Sequence, residues 1–217
     1  GDSGDTDVIF LTGVNQKHSG VELETNYMVN DMLDLMFVAS FGNWKFDGDA
    51  NGNYQETEYN SEGQAIGYTT TEYAYALDGL YVGDMPQTSY VLGVTLKPIK
   101  DLRIQAIHKM YDKNYSDWSP SAREFDGTND DADRAQVWEA PSYNRLDLHM
   151  SYKLPKVKDL DMMLTANIFN VLDEVYVQDA VDNSQYNGYG SKNHLPHNAE
   201  VFLGTPRYAN IGLSIGF

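Results

Sequence analysis

Seven segments of this 217-residue sequence alternate apolar with polar residues at a period of two. In the last of them, Ala209, Ile211, Leu213 and Ile215 are separated by small or polar residues. A period of two places every apolar side chain on the same face of a β-strand. The pattern therefore predicts an all-β chain. The seven predicted strands cover residues 13–29, 35–41, 89–97, 103–111, 145–154, 162–169 and 207–217.

The connections between these strands alternate strictly between a short and a long class. An outer-membrane barrel has short periplasmic turns and long extracellular loops, whereas a soluble domain rarely carries three unstructured loops of such length. We therefore expect an antiparallel transmembrane β-barrel segment of about seven or eight strands from a larger barrel. The short connections are residues 29–34, 98–102 and 155–161, and the long ones are residues 46–86, 113–142 and 172–205.

Acidic residues dominate the chain, because 32 Asp and Glu stand against 15 Lys and Arg for a formal net charge of −17. The three long loops hold 8, 7 and 5 acidic residues against 0, 3 and 1 basic ones, so they carry nearly all of this charge. Such a surface repels a phosphate backbone, which excludes nucleic acid as a partner. The loops either are simply solvated or form an acidic outer vestibule that attracts cations and metal-bound ligands.

Residues with catalytic or metal-binding chemistry are few. Cysteine is absent, which excludes disulfides, thiolate metal sites and a Cys nucleophile. The two histidines of residues 194–197 are surface or ligand-contact residues or, less simply, transition-metal ligands. Asp147 and His149 share one strand face, but lining of the barrel interior explains them better than catalysis does. The Tyr-rich residues 68–81 and 186–189 fit loop packing, an aromatic girdle or ring stacking on a ligand.

One segment of the first long loop has the spacing of a calcium-binding loop. Residues 47–58 match the pattern D-x-D-x-N-G-x₅-E, in which oxygen ligands at alternate positions wrap a hard cation. A polar hairpin tip uses the same residue types for turn conformations and is the alternative. Calcium is thus the one cofactor that the sequence suggests. Its ligands would be Asp47, Asp49, Asn51, Asn53, Gln55 and Glu58.

Four stretches of the sequence resemble one family. Residues 204–217, with apolar side chains at every second position before a terminal aromatic residue, resemble the final strand of TonB-dependent outer-membrane receptors. Residues 20–24, residues 82–87 and residues 167–173 followed by Tyr176 resemble other segments of that family, in the same order.

The resemblance implies the C-terminal part of a plugged barrel of about 22 strands that imports a scarce nutrient across the outer membrane of a Gram-negative bacterium. Siderophores, haem, cobalamin and glycans are the nutrient classes of the family. The implied partners are membrane lipid, the remaining strands and plug of the receptor, the energising protein TonB, a surface lipoprotein and the nutrient. Residues 1–217 depart from the full pattern because a plug domain and the earlier strands are missing.

Strand counting leads to the same expectation of an incomplete barrel. If the chain ends at the periplasmic side, seven alternating strands begin outside the cell, and such a set does not close alone. An eighth strand at residues 7–16, folded back at residues 17–20, is the alternative. It suits a small stand-alone outer-membrane barrel for adhesion or surface binding. A barrel hydrolase is the weakest of the three functional hypotheses.

The alternation also predicts which side chains face lipid and which face the barrel interior. Side chains on the lipid side must be apolar, whereas those on the inner side are free to be charged. The predicted lipid-facing residues are Val21, Leu23, Leu92, Val94, Leu146, Leu148, Leu213 and Ile215, and the predicted inner residues are Glu22, Glu24, Asp147 and Ser214.

Overall fold

A computed structural model describes residues 8–125, 133–183 and 193–216 of the chain. Strands dominate, and the described helical segments are one α-helical turn, α1 (Pro120–Arg123), and one 3₁₀ turn (Pro196–Asn198). The strands are β1 (Val8–Thr12), β2 (Gln16–Asn30), β3 (Leu33–Phe46), β4 (Ala50–Tyr59), β5 (Ala65–Tyr75), β6 (Thr88–Leu96), β7 (Leu102–Asp112), β8 (Asn114–Tyr115), β9 (Glu124–Phe125), β10 (Glu139–Ala140), β11 (Tyr143–Lys153), β12 (Asp161–Phe169), β13 (Val177–Val181), β14 (Glu200–Leu203) and β15 (Tyr208–Gly216).

Within these described residues, no helix is long and apolar enough to cross a membrane.

Seven long strands form one antiparallel sheet in the order β15-β12-β11-β7-β6-β3-β2. These are the seven strands that the alternation predicts, so the all-β prediction and the strand positions are confirmed. β2 runs without interruption through residues 17–20, and β1 pairs with β4 rather than with β2. The alternative in which residues 7–16 add an eighth strand to the sheet is therefore wrong for the described part, residues 8–16.

The register of the sheet sorts its residues into an apolar and a polar face. Leu92 lies opposite Phe37 and His108, and Leu213 lies opposite Leu164, so the predicted lipid-facing residues share one face. On β6 the apolar face is open, since Leu92 is 52% exposed, whereas Thr95 on the polar face is only 4% exposed. A soluble sheet shows the reverse, because it buries its apolar face. The sheet is apolar outside and polar inside, as a barrel wall is.

The long connections contain regular structure, so the expectation that they are unstructured is wrong. β1, β4, β5 and β9 form a four-stranded sheet, β8 pairs with β10, and β13 pairs with β14. A small hydrophobic core lies among them, with Trp118 packed edge-on against Phe46 and tilted against Tyr75. Apolar residues in the loops bury one another there, which explains how such long segments hold a defined shape. The buried members of this core are Phe46, Ala50, Tyr75, Leu77, Leu80, Tyr115 and Val137.

The turn between β4 and β5 shows how loop sequence sets local structure. Asn60 accepts hydrogen bonds at its side-chain oxygen from the backbone N–H groups of Glu62 and Gln64. Gly63 has a φ of 75°, a left-handed conformation that glycine adopts without steric cost. An Asn followed by a Gly in this arrangement closes the hairpin.

Candidate functional site

The three long connections meet at one end of the sheet, and we call them loop A (residues 46–86), loop B (residues 113–142) and loop C (residues 172–205). Together they form the cap. Besides the hydrophobic core, charged side chains join the loops: Arg134 of loop B pairs with Asp49 of loop A, and Arg123 of loop B pairs with Asp182 of loop C.

Asp49 clamps loop A to loop B. Its carboxylate receives two hydrogen bonds from the guanidinium of Arg134, at 2.9 and 2.8 Å. Oδ1 of Asp49 also accepts the backbone N–H groups of Leu77 and Asp78 at 3.0 and 3.1 Å. The Arg134 guanidinium, together with these backbone donors, holds the pKa of Asp49 below its usual range. Paired donors in a fork give this contact both strength and a fixed geometry.

Arg123 joins loop B to loop C from a fully buried position. One guanidinium nitrogen donates to the backbone oxygens of Asp133 and Ala135 at 2.8 and 2.6 Å, and another lies 3.4 Å from Oδ2 of Asp182. Asp182 is itself only 1% exposed, so each charge depends on the other. A buried charge without its partner is costly, which makes this pair a structural requirement of the cap.

His194 of loop C completes the same network. Its Nε2 lies 2.8 Å from Oδ2 of Asp133, and its Nδ1 lies beside Oδ2 of Asp182. Burial acts to raise the pKa of Asp133, but His194, a backbone N–H group and Arg123 outweigh it, and this pKa is lowered. The consecutive residues Asp133 and Arg134 therefore tie loop B to both neighbouring loops.

Three carboxyl groups, one from each loop, also lie close together in the cap. Burial, with the neighbouring carboxylates of Asp84 and Asp179, raises the pKa of Asp117 to about 6. Burial and Asp84 likewise raise the pKa of Asp179. The backbone N–H of Asp117 donates to the oxygen of Ala180 at 2.8 Å, which fixes loop B against loop C at this point. The cap thus concentrates negative charge where its loops converge.

The start of loop C is anchored on the polar face of the sheet. The side chain of Asp147 is buried there, 3.0 Å from Nζ of Lys109 and 3.7 Å from a guanidinium nitrogen of Arg145. Asn170 has a φ of 49° and donates its backbone N–H to Asp147 at 2.9 Å. Arg145 donates to the hydroxyl of Tyr176 at 3.1 Å. These contacts connect the cap mechanically to the inner wall of the sheet.

The paired strand residues Asp147 and His149 have separate partners. Asp147 binds Lys109 and Arg145, whereas Nδ1 of His149 lies 2.8 Å from Oδ1 of Asn167. His149 belongs to a row of polar side chains that crosses the inner face. Thr95, Gln105, His149, Asn167 and Asn210 lie directly opposite one another across five strands.

The predicted calcium ligands do not surround a common point in the structure. Asp47 is exposed and Asp49 binds Arg134, while the other four residues lie in extended strand β4. Asn51 and Glu58 are seven residues apart, which is ~23 Å along a strand at ~3.3 Å per residue. Across the described ranges, no group of three or more His, Asp or Glu side chains is arranged to hold a metal ion. Calcium binding by residues 47–58 stays a prediction.

The aromatic residues of loop A serve mainly in packing. Tyr75 is 2% exposed, and the ring of Tyr81 stacks on that of Tyr115 at 4.1 Å. Tyr68, by contrast, is 66% exposed near the tip of the β4–β5 hairpin. Residues 186–189 lie outside the described part of the chain.

Sequence reasoning missed the two arginines that hold the cap together. One signal was available, because loop B holds only three basic residues among its seven acidic ones. A rare basic residue in an acidic loop is a natural ion-pair partner, and Arg is the preferred residue for bidentate contact with carboxylates. Nothing in the sequence indicates the partners, since Asp49 and Arg134 are 85 residues apart.

A sheet with an apolar outer face, a polar inner face, short turns at one end and a cap at the other defines a segment of an outer-membrane-type β-barrel. The family model for "TonB dependent receptor-like, beta-barrel" matches residues 2–171, and the chain belongs to this family. Members of the family are receptors and transporters of the outer membrane of Gram-negative bacteria.

A solved structure shows the same fold. The siderophore receptor PiuA from Acinetobacter baumannii superposes with a TM-score of 0.53 at 18% identity, over 92% of this chain and 21% of that receptor. The ferric-catecholate import receptor Fiu from E. coli K12 gives a TM-score of 0.38 at 16% identity, over 93% of this chain and 28% of that receptor. Among curated protein sequences, none matches the chain significantly. The chain thus spans 21% of the length of the first receptor and 28% of the length of the second.

Proposed function

We propose that this chain is the C-terminal part of the barrel of a receptor that imports a scarce nutrient across the outer membrane with energy supplied through TonB. The observation that carries the proposal is the reversed polarity of the sheet beneath a large, ordered cap. Exposed Leu92 and buried Thr95 on one strand suit a wall between lipid and an aqueous interior. Membership of the TonB-dependent receptor family supports the energy source.

The edges of the sheet support completion by further strands. β2 and β15 each have a hydrogen-bonded neighbour on one side only within the described sheet. An open edge of this length pairs with whatever strand is available. We propose that the remaining strands of the same receptor pair with both edges and that its plug domain occupies part of the interior.

The cap and the inner wall have different roles in import. The acidic cap raises the local concentration of cationic or metal-loaded ligands, as clefts lined by one sign of charge do. Because Asn170 and Tyr176 fasten loop C to Asp147 and Arg145, a ligand that moves the cap also strains the wall below. Import therefore proceeds by binding and gated passage rather than by a chemical step.

Uptake by cells tests this function. The full-length gene product is expressed in an outer membrane, with and without an active TonB system, and cells are supplied with ferric siderophores, haem, cobalamin or glycans. We expect uptake of one class that disappears when TonB is inactivated. TonB-independent uptake, or refolding of the 217-residue chain alone into a closed, heat-modifiable monomer, would instead support a small stand-alone barrel.

A further inference from the structure

A shallow trough crosses strands β2 and β3 on the polar inner face, just below the cap. Three pairs of directly opposite residues form it: His18 with Trp44, Gly20 with Gly42, and Glu22 with Ser40. Because all six positions have the same parity as the predicted inner residues, the trough opens toward the barrel interior.

Two opposed glycines make the floor of the trough. A Cβ atom on Gly42 would stand 2.8 Å from Cε2 and 2.9 Å from Nε1 of Trp44, so the indole lies directly over this glycine. A Cβ atom on Gly20 would stand 2.7 Å from the backbone oxygen of Phe41. Glycine within a strand commonly marks a place where a ring, a ligand or another backbone approaches closely. Here it allows an aromatic ring to lie over the backbone of the wall.

The backbone that carries the indole is fixed by a buried side chain, and the ring itself lies between Gly42 and His18. Gln87, which is 1% exposed, accepts the backbone N–H of Trp44 at 3.0 Å and donates to its backbone oxygen at 3.0 Å. The imidazole of His18 flanks the indole at a centroid distance of 5.4 Å and a tilt of 30°. Trp44 is half-buried, and together with His18, Gly42 and Glu22 it lines an open depression. A ring fixed in advance loses little conformational freedom when a ligand stacks on it.

The charge beside the indole restricts the chemistry of the ligand. Glu22 is exposed and lies one row beyond the two glycines over which the indole sits, about 7 Å from Gly20 for a step of two residues and about 13 Å from His18 for a step of four. An ionised carboxylate only accepts hydrogen bonds, so it favours hydroxyl donors and repels anions. Ser40, opposite Glu22, adds a hydroxyl that donates or accepts. The trough therefore combines an apolar ring face with an acceptor at its edge.

We propose that Trp44, His18 and Glu22 form a subsite that binds a neutral, polyhydroxylated ring, that is, one pyranose unit of a carbohydrate. The C–H face of the sugar stacks on the indole, and hydroxyls at the ring edge donate to Glu22. This inference rests on the proposed import function and deepens it, because it names a carbohydrate as the ligand that reaches the inner wall. An anionic metal chelate lacks the hydroxyl donors and meets an unfavourable charge.

Binding of the purified full-length receptor to a printed array of neutral oligosaccharides tests the proposal. Oligosaccharides that bind are then titrated by calorimetry against variants. We expect Trp44→Ala to weaken binding at least tenfold, Glu22→Gln to weaken it several-fold, and Gly42→Ala to weaken it although the indole is retained. Tyr68→Ala, which removes another exposed aromatic residue of the cap region, is the matched control and leaves affinity unchanged. Heat-modifiable migration confirms that each variant is folded.

Three outcomes overturn the subsite. One is that the wild-type receptor binds no neutral oligosaccharide, and another is that Trp44→Ala lowers stability but leaves affinity unchanged. The third is Trp44-dependent binding of an iron(III) tris-catecholate without any binding of sugars. TonB-dependent uptake of a nutrient that is not a carbohydrate would leave the import function intact while rejecting the carbohydrate subsite, so the two failures are distinguishable.

Discussion

The seven-stranded sheet and the cap are built on different principles, although they belong to one chain. In the sheet, neighbouring strands are joined by short turns or by the cap loops, and every strand repeats the same alternation of apolar and polar residues. In the cap, a few charged contacts such as Asp49–Arg134 and Arg123–Asp182 join segments 85 and 59 residues apart. The comparison shows that the wall is specified by a repeated local rule and the cap by a small number of individual contacts.

This difference predicts how substitutions are tolerated. In the wall, the cost of a change depends on which face it falls on, whereas in the cap it depends on whether a buried partner is left alone. The following predictions, all for the full-length protein, test that contrast from the largest expected effect to the smallest.

Replacing Arg123 should open the cap. Arg123→Met leaves buried Asp182 with His194 alone beside it and removes the donor from the backbone oxygens of Asp133 and Ala135. We expect the free energy of opening of the cap to fall by about 3–5 kcal/mol. Hydrogen exchange of the loop C amides measures this. The control is Arg207→Met, which breaks an exposed pair with Asp173 and should cost about 0–1 kcal/mol. Equal effects of the two variants would show that the burial of an ion pair does not determine the stability of the cap.

The stability cost of introducing a charge into the wall should depend on the face on which the residue lies. Leu213→Arg places a charge among Leu164 and its neighbours on the lipid side and should cost about 2–4 kcal/mol near the bilayer midplane. Ser214→Arg, one residue further on the inner face, should cost far less. Denaturant titration of the protein folded into lipid vesicles compares them, and equal costs would contradict the assignment of faces.

The contact of Asp49 with Arg134, which clamps loop A to loop B, should contribute modestly to stability, and acid should remove that contribution. Asp49→Asn removes a half-exposed ion pair, and we expect a loss of about 1 kcal/mol. Because the folded state lowers the pKa of Asp49, its contribution is present above the ordinary value of 3.8 and is lost as the pH falls through the lowered pKa. Hydrogen exchange of Leu77 and Asp78 between pH 5 and pH 2 follows it. A loss that begins well above pH 4 would argue against this clamp.

The pH dependence that Asp117 contributes to the stability of the cap should be opposite to that of Asp49. Its pKa is raised to about 6 in the folded cap, so stability is greatest when it is protonated and falls as the pH rises from about 4 through 6. Asp117→Asn should reduce this dependence, to which Asp179 also contributes because its pKa is raised, and should make the cap more stable at pH 7. Hydrogen exchange of Asp182, whose N–H donates to the backbone oxygen of Asp117, reports it. Asp173→Asn, at an exposed carboxylate, should leave the pH profile unchanged.

Calcium binding by residues 47–58 should be weak, and its effect should be the smallest of those predicted for the cap and the wall. The pattern at residues 47–58 predicts an affinity of about 10⁻⁴–10⁻³ M, the range of extracellular modules. Calorimetry should then show a heat that Asp47→Ala and Glu58→Gln both remove, with Glu62→Gln as the neighbouring control. A wild-type protein that gives no heat at millimolar calcium would identify the motif as a polar hairpin.

Much of the wall was predictable from the sequence, and much of the cap was not. The seven strands and the faces of Val21, Leu92 and Leu213 follow from periodicity, because lipid on one side and water on the other impose it on every residue. The expectation of unstructured loops was wrong for two reasons. β8, β9 and β10 are only two residues long and carry no periodic signal. β4 and β5 are 10 and 11 residues long, but polar residues dominate their sequences and no regular apolar alternation marks them.

The sequence by itself determined the strands, their faces, the two classes of connection and the location of the negative charge. Each of these properties is written in neighbouring residues, since alternation and composition are local. Only the tertiary structure decided that Arg123 pairs with Asp182, that Gln87 fixes the backbone of Trp44 and that β1 pairs with β4. Those contacts join residues 59, 43 and about 43 positions apart, and many alternative pairings of the same residue types are possible until the wall brings the loop ends together.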